Sequence, residues 1–324
     1  MATYRSGANS RLVLVKESPY NTPGSTGAIV PKASFTIPSS YERIQSDELV
    51  ADPNPPQEAK GLYSGSGFQI VSPVTADSIG WLLYFFFGSY AKSGAAAPFE
   101  HTFKVAGTLP PTGTLEVGDT ELTKYDQYNG LLPNSFGLSI SKTSDLLKAT
   151  VGLAGSGLRV LNGAAPIDAA PDSFGDKRHV LPAVQLKVDT VLTSYLTGVD
   201  LTISRTFTPL LDLDGELYGS DFDLGDYAVD CVVRGWLDAS NTLRDLDDDA
   251  EHVVEIISPR PGDATRYLSV KFPECHIFDV ESYNVGGDAP IEFSARIAPF
   301  YDDNADATSV LVTLENDIAD YAAI

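Results

Sequence analysis

Positive charge is scarce in this sequence. Twenty-two lysines and arginines stand against 44 aspartates and glutamates, and the formal net charge is -22. Proteins that bind DNA tightly have the opposite balance, because their affinity comes mainly from basic side chains that neutralise phosphates. The composition therefore argues against a DNA-binding protein, although an acidic surface can repel nucleic acid.

Metal-ligating residues are also few. The chain has two cysteines, Cys231 and Cys275, and four histidines. These are too few and too scattered for a structural zinc site. A disulfide between the two cysteines is one alternative, but two buried free thiols are the simpler expectation for a product of the cytoplasm.

Long hydrophobic runs are missing as well. A membrane-spanning helix needs about 18 apolar residues, and the longest run here, Ile79 to Phe87, is about half as long. The first residues, MATYRSGANSRLVL, lack the basic start and apolar core of a signal peptide. We therefore expect a protein that is made in the cytoplasm and has no membrane partner.

No catalytic or cofactor motif stands out. The sequence has no G-x-S-x-G and no H-E-x-x-H, and GLAGSGLR (152–159) misses the spacing of phosphate-binding loops. We interpret it as a flexible loop. The aspartate-rich stretch 211–226 lacks the spacing of a calcium loop and is predicted to be a solvated acidic loop. We expect no enzyme activity, no cofactor and no metal.

Strand patterns dominate what is present. Short runs rich in β-branched and aromatic residues are separated by glycine, proline, asparagine and aspartate. In Leu201 to Ser204 the odd positions are apolar and the even ones polar, as in a half-buried antiparallel strand. The predicted strands are Leu12 to Val15, Val184 to Leu192, Val199 to Phe207, Ala228 to Leu237 and Tyr267 to Phe272.

The apolar run Ile79 to Phe87 is predicted to be one of two or three short helices. Thr75 or Asp77 can cap its start, and Gly88 can end it in the left-handed conformation. A helix that is apolar on nearly all sides is usually buried between layers. The alternative is an exposed patch in which Tyr84 and neighbouring phenylalanines meet another subunit.

Two segments of the chain resemble each other. LPNSFGLSIS (132–141) and FPECHIFDVE (272–281) each open with an apolar residue and proline, and each precedes a turn and another strand. The first places Phe136, Leu138 and Ile140 on its even positions, and the second places His276, Phe278 and Val280 there. Ser139, Ser141, Asp279 and Glu281 fall on the opposite faces.

A second pair of landmarks lies upstream. SGF (66–68) and RGW (234–236) each lie late in a predicted strand and are followed by a helix candidate, the apolar run in one case and ASNTLRDLDDDAEH (239–252) in the other. We therefore predict a mainly β fold of two tandem β-sandwich or β-barrel modules, each with a short flanking helix. The modules would cover residues 1–165, with an N-terminal arm and a long loop at 46–60, and residues 166–324, with 164–172 as the joint.

The order of these segments resembles the two-module tail tube proteins, or major tail proteins, of long-tailed bacteriophages. SYERIQSDELVAD (40–52) is similar to an E-x-I-x-S-D stretch of that family, and the late strand pair that ends in FYDD (300–303) is similar to its C-terminal hairpin. The resemblance covers nearly the whole chain.

The resemblance implies a structural virion protein that assembles into stacked rings, with two modules per chain giving trimeric, pseudo-sixfold rings. The implied partners are further copies of the chain, the tape measure protein inside the tube, and the tail terminator and distal tail or baseplate proteins at the ends. DNA would pass through an acidic channel during ejection without specific binding.

Two sets of residues are candidates for these roles. The channel-facing candidates are Ser139, Ser141, Asp279 and Glu281, and the alternative is that this polar face meets solvent or the next ring. A long, proline-rich, charged loop at 46–60 and the arm at 1–10 are candidates for contacts between rings, and a solvated loop is the alternative. The loop candidates are Ser46, Asp47, Glu48, Asp52, Pro53 and Glu58.

Two other functions compete with a tail tube protein. An acidic two-domain decoration or binding protein of a virion would be a monomer with an exposed aromatic groove. A carbohydrate hydrolase would need two carboxylates in a concave site with aromatic platforms. Against the hydrolase, Trp81 lies in the apolar run and Trp236 in a predicted buried strand.

Overall fold

The fold is given by a computed structural model of the 324-residue chain. The parts of the chain that it describes are 10–32, 34–37, 40–45, 58–105, 109–119, 121–141, 146–155, 157–175, 178–179, 184–193, 196–213, 216–236, 250–260, 262–281, 292–301 and 306–324. The N-terminal arm before Ser10, most of the loop at 46–60 and most of the helix candidate at 239–252 lie outside these residues.

The described chain is mainly β, with nineteen strands and one α-helix. The elements of the first half are β1 (Ser10–Glu17), β2 (Pro23–Ile29), β3 (Ser34–Thr36), β4 (Ser40–Gln45), β5 (Glu58–Pro73), α1 (Ile79–Phe87), β6 (Gly88–Ser93), β7 (Phe99–Val105), β8 (Gly113–Asp119), β9 (Lys124–Ser141), β10 (Lys148–Gly155) and β11 (Arg159–Gly163). Those of the second half are β12 (Gln185–Val188), β13 (Val191–Thr193), β14 (Leu196–Leu210), β15 (Asp221–Trp236), β16 (His252–Arg260), β17 (Asp263–Glu281), β18 (Glu292–Pro299), β19 (Leu311–Asn316) and a 3-10 turn (Tyr321–Ala323).

A series of antiparallel pairings runs through the middle of the molecule, and we call its strands the central array. In spatial order they are β3, β5, β10, β9, β14, β15, β18 and β17. β4 also pairs with β5 at the same end. The two halves of the chain meet where β9 pairs with β14, from Gly198 opposite Ser141 to Ser204 opposite Ser135.

Two further sets of strands flank the central array. The first flanking set is β2, β1, β8, β9 and β11. The second is β13, β12, β16, β17, β19, β7 and β6. The long strands β9 and β17 take part in both kinds of set, because their N-terminal parts pair in a flanking set and their C-terminal parts pair in the central array.

The pairings of the first half recur in the second. The pairings of the first half are β1–β2, β1–β8, β8–β9, β9–β11, β9–β10, β10–β5 and β5–β4. Their counterparts in the second half, in the same order, are β12–β13, β12–β16, β16–β17, β17–β19, β17–β18, β18–β15 and β15–β14. Both hairpins predicted from the sequence are confirmed, as β9–β10 and β17–β18.

Several predicted elements differ from the structure. The single strand expected at 184–192 is a hairpin, because Asp189 and Thr190 adopt positive φ and turn the chain between β12 and β13. β17 is one strand through Pro273, where two strands were expected. The helix candidate at 239–252 cannot extend to its predicted end, because His252 begins β16. Among the described residues α1 is the only α-helix, against the two or three expected.

The apolar run forms the predicted helix, and all nine of its residues are buried. Gly88 ends it at the predicted position with a positive φ of 71°, but its ψ of -30° lies outside the left-handed helical region. The N-cap is Ser78 and not Thr75 or Asp77. Thr75 still contributes, since its Oγ1 accepts a hydrogen bond from the Ser78 amide at 3.0 Å. The helix packs against β9, β6, β7 and the C-terminal turn. Its burial within the chain rules out the exposed patch.

The C-terminal turn holds α1 in place. Tyr321 is fully buried, and its ring lies against Gly80 so closely that a Cβ on Gly80 would fall 2.2 Å from the Tyr321 Cζ. Asn316 donates hydrogen bonds to the Ala76 carbonyl at 2.8 Å and to the Tyr321 hydroxyl at 2.6 Å. The end of the described chain thus fastens the second half to the helix of the first.

The predicted joint is docked on the first half. The Gly27 amide donates to Asp168 Oδ2 at 3.0 Å, and Asp172 forms a parallel bridge with Ala28. The Ile167 amide donates to the buried carboxylate of Glu116 at 2.6 Å. No helix in the described parts of the chain combines the length and the apolarity needed to cross a bilayer.

Candidate functional site

The central array has one buried and one exposed face. Side chains alternate along each strand. Leu138 of β9 and Leu201 of β14 are therefore buried, while the residue after each of them, Ser139 or Thr202, is exposed. We call the second side the polar face. Its described side chains include Gln69, Ser139, Ser141, Lys148, Thr150, Asp200, Thr202, Asp230, Arg234, Glu292, Ser294 and Arg296.

Ion pairs join neighbouring strands on the polar face. Arg234 of β15 forms an ion pair with Asp200 of β14, and Ser139 of β9 donates to Asp200 Oδ1 at 2.6 Å. On the next pair of strands, Arg296 Nε donates to Asp230 Oδ1 at 3.1 Å. Each aspartate therefore shares its charge with an arginine across a strand boundary.

A shallow polar depression of about 340 Å³ lies where β9 meets β14. Its floor is Gly137, which carries no side chain, and a Cβ there would meet nothing closer than 3.6 Å. Hydroxyl groups surround it. The remaining lining residues include Gln69, Ser135, Ser139, Thr150, Asp200 and Thr202.

Charge on the described polar face is balanced. The cationic residues Lys148, Arg234 and Arg296 are matched by the anionic residues Asp200, Asp230 and Glu292. The excess of carboxylates that the composition predicts therefore does not appear among these side chains, and it lies on other parts of the chain.

The structure brings two of the four predicted channel residues together on this face. Ser139 is exposed, and Ser141 is half-buried and lies opposite Gly198 of β14. Asp279 and Glu281 lie near the end of β17, and Glu281 is opposite Ser294 beyond a bulge. The side chains of both acidic residues lie outside the described part of the chain.

The alternation predicted for β17 is wrong by one residue. Cys275 and Ile277 are buried, while His276 and Phe278 are half-buried. Large side chains at the consecutive positions 276–278 obscure the alternation of buried and exposed residues. The predicted buried face of β17, which was matched to the buried face of β9, is therefore the opposite of the observed one in this part of the strand. The bulge between Phe278 and Glu281 then shifts the register again toward the end of the strand.

The predicted loop for ring contacts lies mainly outside the described residues. This applies to Ser46, Asp47, Glu48, Asp52 and Pro53. Glu58 begins β5 opposite Gln45 of β4, and its side chain is not described. Because β4 and β5 are antiparallel, residues 46–57 join the ends of a hairpin.

A second projecting hairpin was missed by the sequence analysis. β14 pairs with β9 only as far as Ser204, and β15 pairs with β18 only from Cys231, so the distal part of the β14–β15 hairpin extends beyond the described central array. β15 begins at Asp221, which shortens the predicted acidic loop 211–226 to 211–220. We call 210–220 the hairpin tip. Its exposed leucines are Leu210, Leu211, Leu213 and Leu217.

The distal part of this hairpin packs on the first half of the chain, from Phe222 beside the tip to Tyr227. The Phe222 ring lies 5.8 Å from that of Tyr20, and the Tyr227 hydroxyl donates to the Phe86 carbonyl of α1 at 3.1 Å. The alternation of leucine with aspartate in LDLDGEL was the available signal for a hairpin tip that is not wholly polar.

The described residues offer no reactive constellation. Both cysteines are free and buried, and burial raises the pKa of their thiols, that of Cys275 to about 12. Within the described ranges, no three histidine, cysteine, aspartate or glutamate side chains are grouped to hold a metal ion. Gly152 to Gly155 belong to β10, so the flexible loop expected there is largely strand.

Comparison with known protein families gives a match over most of the chain. The model of a family described as phage tail tube protein matches residues 7–300, which is most of the chain. No curated protein matches the sequence. Because the family model matches more than half of the chain, the chain belongs to the phage tail tube protein family, and it is a structural, non-enzymatic protein of the virion tail.

Proposed function

We propose that the chain consists of two tandem modules, residues 1–165 and 166–324, and that three copies form a pseudo-sixfold ring of the tail tube. The recurrence of strand pairings in the two halves is the observation that carries this proposal. Two modules of the same topology can occupy equivalent places around an axis, and a repeated head-to-tail contact forms a closed ring when its rotation returns to the first copy.

The pairing of β9 with β14 supplies the pattern for ring closure. In the correspondence between the two halves, β3 and β4 of the first half are equivalent to β14 of the second. The end of β17 is equivalent to the end of β9, which is the part that pairs with β14. Among the described residues, β17 from His276 onward pairs only with β18. Exposed strand edges readily pair with other strands. The end of β17 in one copy would therefore pair with β3 and β4 of the next, and the central arrays would join into one barrel.

The polar face would line the channel of this barrel. Ser139 and Ser141 lie on it, and Asp279 and Glu281 belong to the strand at its edge. The described charges of the polar face balance, so Asp279 and Glu281 would supply the excess of carboxylates in an acidic channel. Carboxylates repel DNA phosphates and would allow the genome to pass without binding. The alternative remains a polar face that meets solvent or the next ring.

Contacts between rings would come from the two hairpins β4–β5 and β14–β15. They hold equivalent positions in the two sets of pairings. The first would use the loop candidates Ser46, Asp47, Glu48, Asp52, Pro53 and Glu58. The second would use the leucines of the hairpin tip, because exposed apolar side chains grouped on a projection favour burial against another protein surface.

Other partners follow from a place in the tail tube. The tape measure protein would occupy the channel before DNA, and tail terminator and distal tail or baseplate proteins would bind the two ends of the stack. DNA would be a partner only in transit. These partners rest on the family and on the proposed ring.

Negative-stain electron microscopy of the purified protein, before and after concentration, tests the assembly. Stacked rings with a central hole and three copies per ring are expected. A protein that stays monomeric at high concentration would contradict the function itself.

Disulfide trapping tests the contact between copies. Phe278→Cys combined with single cysteines along 41–45 is expected to give covalently closed trimers in oxidised rings. The control Ser139→Cys with Asp200→Cys joins opposite residues of β9 and β14 and should leave the chain monomeric on a denaturing gel. Open ladders of increasing mass would exclude a closed ring.

Two further variants test the channel and the loop. Phage that carry Asp279→Lys and Glu281→Lys are expected to eject DNA slowly, and normal ejection would remove these residues from the channel. Deletion of 53–57 is expected to shorten or abolish tubes. Unchanged tubes would remove the loop from the contact between rings.

A further inference from the structure

We propose that Asp200 and Asp230 neutralise Arg234 and Arg296 on the polar face, so that these arginines do not bind the phosphates of DNA that passes through the tube. This inference rests on the proposed function, in which the polar face lines the channel. It assigns the low affinity for DNA to specific ion pairs as well as to the overall acidity of the chain.

The two arginines would otherwise suit phosphate binding. About half of each side chain is exposed, 47% for Arg234 and 48% for Arg296, so their guanidinium groups can be reached from the channel side. A guanidinium presents several N–H donors in a planar fork that matches the oxygens of a phosphate. Such groups on a channel wall would hold a DNA backbone.

Each neighbouring aspartate contacts one nitrogen of a guanidinium, Nη2 of Arg234 and Nε of Arg296, and places its negative charge beside that group. One carboxylate oxygen of Asp200, Oδ2, pairs with the Arg234 guanidinium. The other, Oδ1, accepts a hydrogen bond of 2.6 Å from the Ser139 hydroxyl. Asp230 receives Arg296 Nε at 3.1 Å. Ser139 comes from the first half of the chain and the other members from the second, so the first pair is held where the two halves meet. Each pair has no net charge.

These ion pairs are poor candidates for a purely stabilising role. Exposed pairs contribute little to stability, because water screens the charges and holding both side chains costs entropy. Replacing one aspartate by the isosteric asparagine should therefore leave the fold intact while it leaves an arginine without its anion. In a stack of rings the same cation would recur at every level of the channel.

The test compares Asp200→Asn with the double variant Asp200→Asn and Arg234→Gln. Fluorescence anisotropy would measure binding of a labelled DNA duplex to purified subunits and to tubes at increasing salt concentrations. Asp200→Asn is expected to raise affinity at low salt by about tenfold or more, with a salt dependence of about one power of the salt concentration per phosphate contact. The double variant should return to the wild-type value. Asp230→Asn with Arg296→Gln forms the second pair of variants.

Asp223→Asn is the matched control. It makes the same change in charge on the exposed part of β15, and within the described residues no ion pair joins Asp223 to an arginine. It is expected to leave DNA affinity within about twofold of wild type. An equal gain in Asp223→Asn and Asp200→Asn would mean that net charge alone matters, and it would overturn the inference.

Ejection from phage separates this inference from the proposed function. Slower DNA release with Asp200→Asn, restored in the double variant, supports both. A gain in DNA binding by subunits without any effect in tubes or on ejection would keep the neutralisation but would remove the polar face from the channel. Wild-type affinity in subunits and tubes alike would overturn the neutralisation, whatever microscopy says about the rings.

Discussion

At the scale of single residues, the contact between Gly80 and Tyr321 leaves no room for a side chain. A Cβ on Gly80 would lie 2.2 Å from the Tyr321 ring, and both residues are buried. We expect Gly80→Ala to lower the free energy of unfolding by about 1–3 kcal/mol, the usual range for overpacking a core. Chemical denaturation monitored by circular dichroism would measure the change.

Gly137→Ala provides the comparison for this substitution. A Cβ at Gly137 meets no atom closer than 3.6 Å, and the residue lies in a strand, where alanine is favoured over glycine. Its stability should match or slightly exceed that of the wild type. Equal losses in the two variants would show that glycine replacement in general, and not the Tyr321 contact, is responsible.

Burial of His179 predicts a loss of stability in acid. Desolvation lowers the pKa of this imidazole to about 4, helped by the nearby charge of Arg260, while the unfolded chain titrates near 6.5. The unfolded state therefore takes up a proton first, and stability falls as the pH drops from about 6.5 to about 4. His179→Gln should lose less stability than the wild type over this range.

The measurement is the free energy of unfolding of both proteins at pH 7 and pH 4. Burial raises the pKa of Asp77 and Glu116, and these carboxyls act in the opposite direction, so the difference between the two proteins is the informative quantity. Parallel curves for wild type and His179→Gln would show that His179 is accessible to protons in the folded state.

Residue-level details were the hardest part to predict. The sequence identified the helix from its apolar run but not its cap, because Thr75, Asp77 and Ser78 are all good capping residues within one turn. It also assigned the wrong face of β17 from Cys275 to Phe278, because the consecutive side chains His276, Ile277 and Phe278 leave the period ambiguous. Side-chain position depends on register, and a single bulge reverses it.

At the scale of elements, the C-terminal segment stabilises the fold through its packing against α1. Deleting residues 317–324 removes Tyr321 from its buried place beside α1 and removes its contacts with Asn316 and the Asp77 carbonyl. We expect a loss of about 3–5 kcal/mol, as for other large aromatic side chains deleted from a core. Thermal and chemical unfolding would measure it.

Tyr321→Phe separates the ring from the hydroxyl in this experiment. It keeps the packing against Gly80 and His101 and loses only the hydroxyl contacts, so a smaller loss of about 1–3 kcal/mol is expected. If the deletion were no worse than Tyr321→Phe, the aromatic packing would not be what fastens the segment.

Local elements were predicted better than distant pairings. The hairpins β9–β10 and β17–β18 could be predicted because their strands are neighbours in sequence and share a proline and an apolar start. The pairing of β7 with β19 could not, because the strands come from different halves of the chain and are far apart in sequence. No local pattern encodes such a contact, which depends on how the two halves pack.

At the scale of the whole molecule, the net charge of -22 opposes assembly. Like-charged subunits repel each other, and salt screens that repulsion over about 10 Å at 0.1 M ionic strength. We therefore expect tube formation to begin at lower protein concentration as sodium chloride is raised from about 20 to about 200 mM. Light scattering and electron microscopy would follow it.

Sucrose at the same osmolality is a suitable control, because it changes no ionic strength. Assembly that weakens with added salt would mean that attraction between charged groups, and not repulsion, governs the contacts between copies. The composition argued only against a DNA binder, whereas the class of the molecule was predicted from the resemblance of its segment order to tail tube proteins. The arrangement of charge on the polar face could not be predicted, because it depends on which strands become neighbours.

The pairing of β7 with β19 also orders events in time. A nascent chain leaves the ribosome from its N-terminus, so Phe99–Val105 emerges well before Leu311–Asn316. Until β19 has been synthesised, one edge of β7 is unpaired, and the buried site beside α1 that Tyr321 fills is unoccupied. A polypeptide whose C-terminal segment has not yet emerged therefore lacks a completed second flanking set.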